Sequence, residues 1–195
     1  MKIGVLASGR GSNLQALIKA WQEGRFSAEF VAVGSDHADA MALKRAEDAH
    51  IPQRAFPLKD YSSRKEQEQA ILEWLQESGV DLLVLAGFMR VLSPHFLKEL
   101  NCPVLNIHPS LLPSFPGLHA QRQALEYGVK VSGCTVHFVD EGLDSGPIIL
   151  QEAVPVEPGD TEETLAERIL KVEHKLYPEA LRLITAGQIK YDKKK

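Results

Sequence analysis

The 195-residue chain has no apolar run long enough to cross a bilayer. It also lacks the pattern of an export signal. Its opening stretch, MKIGVLASGRGSN, turns glycine- and serine-rich after one short apolar segment and reads as a first strand and loop. The cytoplasm is therefore the expected compartment, and no membrane partner is expected. Cysteine is scarce. Cys102 and Cys134 are far apart and form no CxxC, which excludes a disulfide framework or a zinc cluster and leaves two buried, idle thiols. Positive charge is not in excess either. Lys and Arg number 22 against 26 Asp and Glu, for a net charge of −4. Nothing in that balance favours nucleic acid, and an anionic substrate would need a local positive site. Internal repeats and low-complexity tracts are missing, and the basic residues 193–195 read as a frayed tail.

What is present fits a globular protein, with 44% hydrophobic and 25% charged residues. The length suggests one domain, 1–195. Apolar runs at 2–7, 30–34, 82–85 and 104–107 are short, rich in β-formers and bounded by turn residues, as buried parallel strands should be. Helical patterns fill 13–23, 40–49, 62–77 and 93–100, with Ser93-Pro94 as an N-cap and a first-turn proline. This order predicts an open, mostly parallel twisted α/β sheet with flanking helices. After residue 120 the pattern changes. Residues 131–139 and 148–156 read as strands that run antiparallel, because their link is too short for a crossover helix. A last helix spans 162–186, with Asp160 and Glu163 as a candidate capping box. Ligands in such sheets sit beyond the carboxyl ends of the strands, so the loops after Ser8, Gly87 and His108 are the ones to inspect.

Three motifs could carry chemistry. Ala7-Ser-Gly-Arg-Gly-Ser-Asn13 follows strand one and opens helix one, where amide N–H groups can face an anion. Leu14 stands where a dinucleotide fingerprint has its third glycine, and no Gly-Lys-Ser/Thr follows. The motif reads as a single-phosphate site or as a plain tight turn. In Val104-Leu-Asn-Ile-His-Pro-Ser-Leu-Leu-Pro-Ser-Phe-Pro-Gly117, Asn106 and His108 share one face at a strand end. Histidine can supply a proton near neutral pH, and the asparagine amide can donate to an oxyanion. A hydrogen-bonded pair closing the strand is the alternative. Prolines restrict the following loop, and Leu112-Pro113 is a candidate cis bond.

The third motif, Gly133-Cys-Thr-Val-His-Phe-Val-Asp-Glu-Gly-Leu-Asp-Ser-Gly-Pro147, places Asp140, Glu141 and Asp144 in a turn. Asp144 is the candidate carboxylate for His108, against the reading of a solvated acidic turn. His137 alternates with Val136 and Phe138, as a satisfied structural histidine would. Two histidines and an aspartate can form a metal triad, but their spacing matches no metal signature, and no metal is expected. His37, His50, His95, His119 and His174 have no constellation around them and read as surface or packing residues.

Taken together, SGRGSNLQAL, AGFMRVLSP, LNIHPSLLPSFPG, GCTVHFVDEGLDSGPII and EHKLYP resemble the folate-dependent phosphoribosylglycinamide formyltransferases over essentially the whole chain. The resemblance implies transfer of a formyl group from 10-formyltetrahydrofolate to glycinamide ribonucleotide, in purine biosynthesis. It implies small-molecule substrates, no metal, and a monomer or homodimer. Asn106, His108 and Asp144 match the catalytic trio. Gly11, Ser12 and Asn13 match the phosphate loop, and Lys171 and Glu173 fall where the family closes over the ribonucleotide. Met89, Arg90, Val91 and Leu92 match the wall around the folate pteridine, and Arg64 matches a folate-contacting arginine. Asp140, Glu141, Gly142, Leu143 and Asp144 match the other side of that pocket. Residues 1–100 thus form an expected phosphate-binding half, and 101–195 a catalytic and folate-binding half. One departure is visible, Ser35-Asp36 where the family commonly has Ser-Asn, with no consequence expected for the chemistry.

Three related activities share the Asn-x-His…SLLP core. Methionyl-tRNA formyltransferases are disfavoured by the acidic balance and by the absence of a further C-terminal domain. Formyltetrahydrofolate deformylases are disfavoured because strand one begins at Lys2. Sugar-nucleotide formyltransferases are disfavoured by Gly11-Ser12-Asn13. A non-catalytic nucleotide-binding module is disfavoured by the complete trio, and a dehydrogenase by the incomplete glycine fingerprint.

Overall fold

The computed structural model describes residues 1–191, and the 193–195 tail lies outside them. Seven strands form one sheet: β1 (Lys2–Leu6), β2 (Glu29–Ser35), β3 (Gln53–Ala55), β4 (Leu82–Leu85), β5 (Val104–His108), β6 (Val131–Phe138) and β7 (Ile148–Pro155). Their order is β3-β2-β1-β4-β5-β6-β7. Strands β1 to β5 pair in parallel, whereas β5–β6 and β6–β7 are antiparallel. The helices are α1 (Ser12–Gln22), α2 (Met41–Asp48), α3 (Arg64–Glu77), α4 (Pro94–Glu99), α5 (Ala120–Tyr127) and α6 (Glu162–Thr185). This is the open, mostly parallel sheet with an antiparallel addition that the alternating patterns predict.

The strands divide their side chains by the two-residue period. Ile3, Val5, Leu82, Val84, Leu105 and Ile107 face one layer, which α1, α2 and α6 cover with Leu17, Ala42, Leu181 and their neighbours. Leu6, Leu83, Leu85 and Val104 face the other, covered by Ile71, Leu72 and Leu75 of α3 and Phe96 of α4. Truncating one of the fully buried leucines, such as Leu17→Ala, would remove about 2–5 kcal/mol of stability. Helix caps agree with the sequence at Ser93, whose hydroxyl accepts from Phe96 N–H with Pro94 in the first turn. At α6 the capping box is Thr161 with Thr164, one residue later than the Asp160/Glu163 pair expected. Asp160 is instead held by Arg168 at 2.6 Å. A threonine hydroxyl at N3 serves as well as the expected carboxylate, because it too accepts the backbone N–H of the N-cap.

The chain winds outward from β1 to β2 and β3, then crosses back to β4 and β5. The switch point therefore lies between β1 and β4, where a crevice opens beyond the strand ends. Ser8 N–H donates to the Gly87 carbonyl across this gap at 3.1 Å. Helix α6 closes the opposite side. The buried Tyr177 hydroxyl lies 2.8 Å from the Leu85 carbonyl and 3.1 Å from that of Leu105. Among the described residues, no helix is long and apolar enough to cross a membrane. Burial, with charge from Glu173 and Glu152 nearby, pushes the Cys134 thiol up to about 12, which leaves it inert at neutral pH.

Candidate active site

Gly11 ends the first loop with φ +64°, in the left-handed region, and caps α1 without any side-chain acceptor for the helix's first N–H groups. No acidic residue stands in that first turn. The free amides of the α1 terminus are thus available to an anion. A Cβ at Gly11 would lie 2.8 Å from the backbone of Ala42, so the loop also needs glycine for space. Asn13 is buried, and its Nδ2 donates to Glu173 Oε2 at 2.8 Å, which brings α6 to the phosphate loop. Asn13 Oδ1 is buried without a partner. Burial raises the Glu173 carboxyl above its ordinary range, opposed only in part by the Asn13 bond. Lys171 is exposed. Two positions away on the same helix, it points about 200° round from Glu173 and away from this contact.

Asn106 and His108 stand at the carboxyl end of β5, next to β4. His108 is buried, with Nδ1 3.4 Å from Asp144 Oδ2 and Nε2 donating to the Phe115 carbonyl at 2.8 Å. Nε2 carries a proton, because the carbonyl can only accept, and Nδ1 faces the Asp144 carboxylate. Asp144 sits on the loop between β6 and β7 at φ +50°, and its Oδ2 also accepts the Gly117 N–H at 2.8 Å. The three residues expected to act together are therefore one cluster, built from β5 and the loop between β6 and β7.

His137 of β6 pairs with Asn106 in the antiparallel register. Its Nδ1 donates to the Phe138 carbonyl at 2.9 Å, which fixes the proton there. Nε2 is left as an acceptor, 3.4 Å from Asn106 Nδ2. Burial lowers the affinity of His137 for a second proton, outweighing the Phe138 carbonyl and Asp144. A neutral histidine thus turns the Asn106 amide and leaves its other N–H free for the cleft. The loop after His108 is locked by groups that the sequence did not announce. Thr135 Oγ1 donates to the Ser110 carbonyl at 2.7 Å, and Gln151 Nε2 donates to the Leu112 carbonyl at 2.8 Å. The Leu112-Pro113 bond is cis, as expected. Neither Gln151 nor the Phe115 carbonyl carries a motif signal, since one lies mid-strand and the other is backbone.

The two rims expected to hold folate flank the cleft. Met89 and Val91 are exposed apolar side chains, while Leu92 turns inward and is buried. Arg64 donates through Nη2 to the Val91 carbonyl, so it braces this loop. Arg90 is engaged by framework groups. Its Nε donates to Asp36 Oδ2 at 2.7 Å and its Nη1 to Gln67 Oε1 at 3.2 Å. On the facing rim, Asp140 Oδ1 accepts from Gly142 N–H and Ser145 Oγ, curling the loop that exposes Glu141 and Leu143. Among the described residues, no group of three His, Cys, Asp or Glu side chains is arranged to hold a metal ion.

Residues 1–181 match the formyl transferase family. The phosphoribosylglycinamide formyltransferase of Bacillus subtilis is 45% identical over 181 residues, covering 93% of each chain. The crystal structure of glycinamide ribonucleotide transformylase 1 from Symbiobacterium toebii is 52% identical, with a TM-score of 0.94, and the match covers 99% of this chain and 91% of that one. The human trifunctional purine biosynthetic protein adenosine-3 is 52% identical over 188 residues, 96% of this chain. The chain spans only 19% of the length of that relative and of its chicken counterpart.

Proposed function

The chain belongs to the formyl transferase family, and within it to the phosphoribosylglycinamide formyltransferases, and from that premise we propose that it moves the formyl group of 10-formyltetrahydrofolate onto the amine of glycinamide ribonucleotide. The observation that carries this reading is the convergence of Asn106, His108 and Asp144 at the end of β5, beside the uncapped α1 terminus at the end of β1. A reaction that needs an oxyanion site, an acid and a phosphate grip would use that layout. The exposed Met89 and Val91 suit the flat face of a pteridine.

The substrate amine attacks the formyl carbon and forms a tetrahedral oxyanion. The free N–H of Asn106 and the His108 imidazolium stabilise that charge, and one such donor contributes about 10²–10³ in rate. His108 then gives a proton to the folate nitrogen, the carbon–nitrogen bond breaks, and the proton shed by the attacking amine restores the ring. The ring must release one acceptor to do so. The Phe115 carbonyl is the one to go, because Asp144 balances the positive charge. Serine and cysteine are not placed for a covalent intermediate. In this reading residues 1–100 supply the phosphate loop and residues 101–191 the acid and most of the folate cleft. The Asn13–Glu173 bond joins the two halves.

A spectrophotometric assay with 10-formyltetrahydrofolate, run with and without glycinamide ribonucleotide, tests the proposal. Turnover that requires the ribonucleotide supports it. Equal turnover without it would make the protein a deformylase, and silence in both would point to another amine.

A further inference from the structure

The departure at Asp36 has a structural counterpart. Asp36 follows β2, and its side chain is only 2% exposed. A buried carboxylate needs partners, and this one has three. Oδ2 accepts from Arg90 Nε at 2.7 Å, and Oδ1 lies 3.0 Å from His37 Nδ1. The Ser8 hydroxyl stands close enough to the carboxylate to help hold it below its ordinary range against burial. Ser8 Oγ in turn accepts the Met89 N–H at 2.9 Å. Asp36 therefore reaches the loop between β4 and α4 twice, once through Ser8 to the Met89 backbone and once through the Arg90 side chain. The far side of Arg90 is seated on Gln67, which is buried and donates to the Phe56 carbonyl.

We propose that Asp36 is a positioning residue for the folate cosubstrate, acting through Ser8 and Arg90 to fix residues 87–92 in the shape that receives the pteridine. The proposal rests on the folate-rim reading given above. Arg90 is paired with Asp36 and seated on Gln67, which holds the loop's shape, and the exposed Met89 and Val91 stand on that loop. Backbone donors and acceptors give useful affinity only where the loop is held in place before binding. Because His37 is half exposed and shares the same carboxylate, Asp36 also ties β2 to this rim.

The test compares the parent with Asp36→Ala, Asp36→Asn, Arg90→Ala and the Asp36→Ala/Arg90→Ala double variant. Both substrates are varied, and melting is followed in parallel. Asp36→Ala is expected to raise KM for the formyl folate about ten-fold, with little change in kcat or in KM for the ribonucleotide. Asp36→Asn, which keeps an acceptor and loses the charge, is expected to recover part of that loss. The double variant is expected to fall well short of the product of the single effects, as contacting residues do. A rise in both KM values together, a loss confined to kcat, or independent multiplication of the single effects would overturn the proposal. If Asp36→Ala does not fold, Asp36→Asn and Arg90→Lys carry the test, and an unchanged folate KM in both overturns it. Absence of turnover in the parent would sink the functional reading instead. Amide exchange still decides the positioning role in that case: the Met89 N–H loses protection in Asp36→Asn, and unchanged protection there overturns it.

Discussion

Asn13 and Glu173 lie 160 residues apart in the chain and share a buried 2.8 Å hydrogen bond that fastens α6 to the phosphate loop. The same amide leaves its Oδ1 without a partner. A protonated Glu173 would fill that gap with its own O–H, closing a cyclic amide–acid pair. The raised Glu173 carboxyl and the orphaned oxygen thus have one explanation in common.

A folded-state value above the ordinary glutamate 4.5 means that the folded protein holds a proton the unfolded chain has released. This contribution to stability is complete below 4.5 and is lost as pH rises through the folded value. Glu173→Gln keeps the shape and supplies a permanent donor to Asn13 Oδ1. Its melting temperature is expected to match the parent's near the low end and to exceed it increasingly toward about pH 8. Melts across that range would expose a constant or shrinking gap, which this account does not allow.

Removing the acid should stop the chemistry and spare binding. His108→Ala is expected to lower kcat about 10²–10⁴-fold. Asp144→Asn keeps an acceptor for the Gly117 N–H but withdraws the charge beside His108, so it should also fall by orders of magnitude. Folate binding, followed by fluorescence, should persist in both. Near-normal turnover in either variant would remove that residue from the mechanism.

His137 acts at one remove, through Asn106. Replacing it with leucine should free the Asn106 amide and lower kcat about ten-fold, with KM values little changed. Burial also gives the residue a pH signature. Its folded value lies below the ordinary 6.5, so its contribution to stability is present above 6.5 and lost as pH falls below it. The leucine variant should therefore melt with a flatter pH dependence as pH falls below the ordinary 6.5. A dependence identical to the parent's would contradict the neutral assignment.

Gly11→Ala tests the phosphate loop. The new methyl would meet the Ala42 backbone at 2.8 Å in a conformation already unfavourable for any other residue. A stability loss of about 1–3 kcal/mol is expected, with a raised KM for the ribonucleotide and a normal KM for folate. Equal effects on the two substrates would mean that the loop does not specify the phosphate side.

The sheet was legible because its central strands are unbroken apolar runs, and Asn106 and His108 were conspicuous as polar side chains at the end of one of them, whereas Asp144 lies among the acidic residues of a turn. Strand β3 was not, since Gln53-Arg54-Ala55 is a short, polar edge with no alternation to read. Helix α5 was hidden because its only buried residues over eight positions are the small Ala120 and Ala124. The supports of the site were harder still. Ser8 could be seen as part of a loop, but its hydroxyl link between Asp36 and Met89 depends on three strand ends meeting. The bond from Arg90 to Asp36 could not be read either, because the buried carboxylate that draws the guanidinium lies 54 residues earlier.

Tyr177 has a mechanical consequence. Its hydroxyl has one proton to share between the carbonyls of Leu85 and Leu105, and it projects from the helix that also bears Glu173. A slip of α6 by even part of a turn would strip that bond from the sheet and pull Glu173 off Asn13 in the same movement. The helix cannot open as a unit of its own. In hydrogen-exchange terms its central amides should open only with β4 and β5, so the ribonucleotide grip and the catalytic strand rise and fall as one cooperative block.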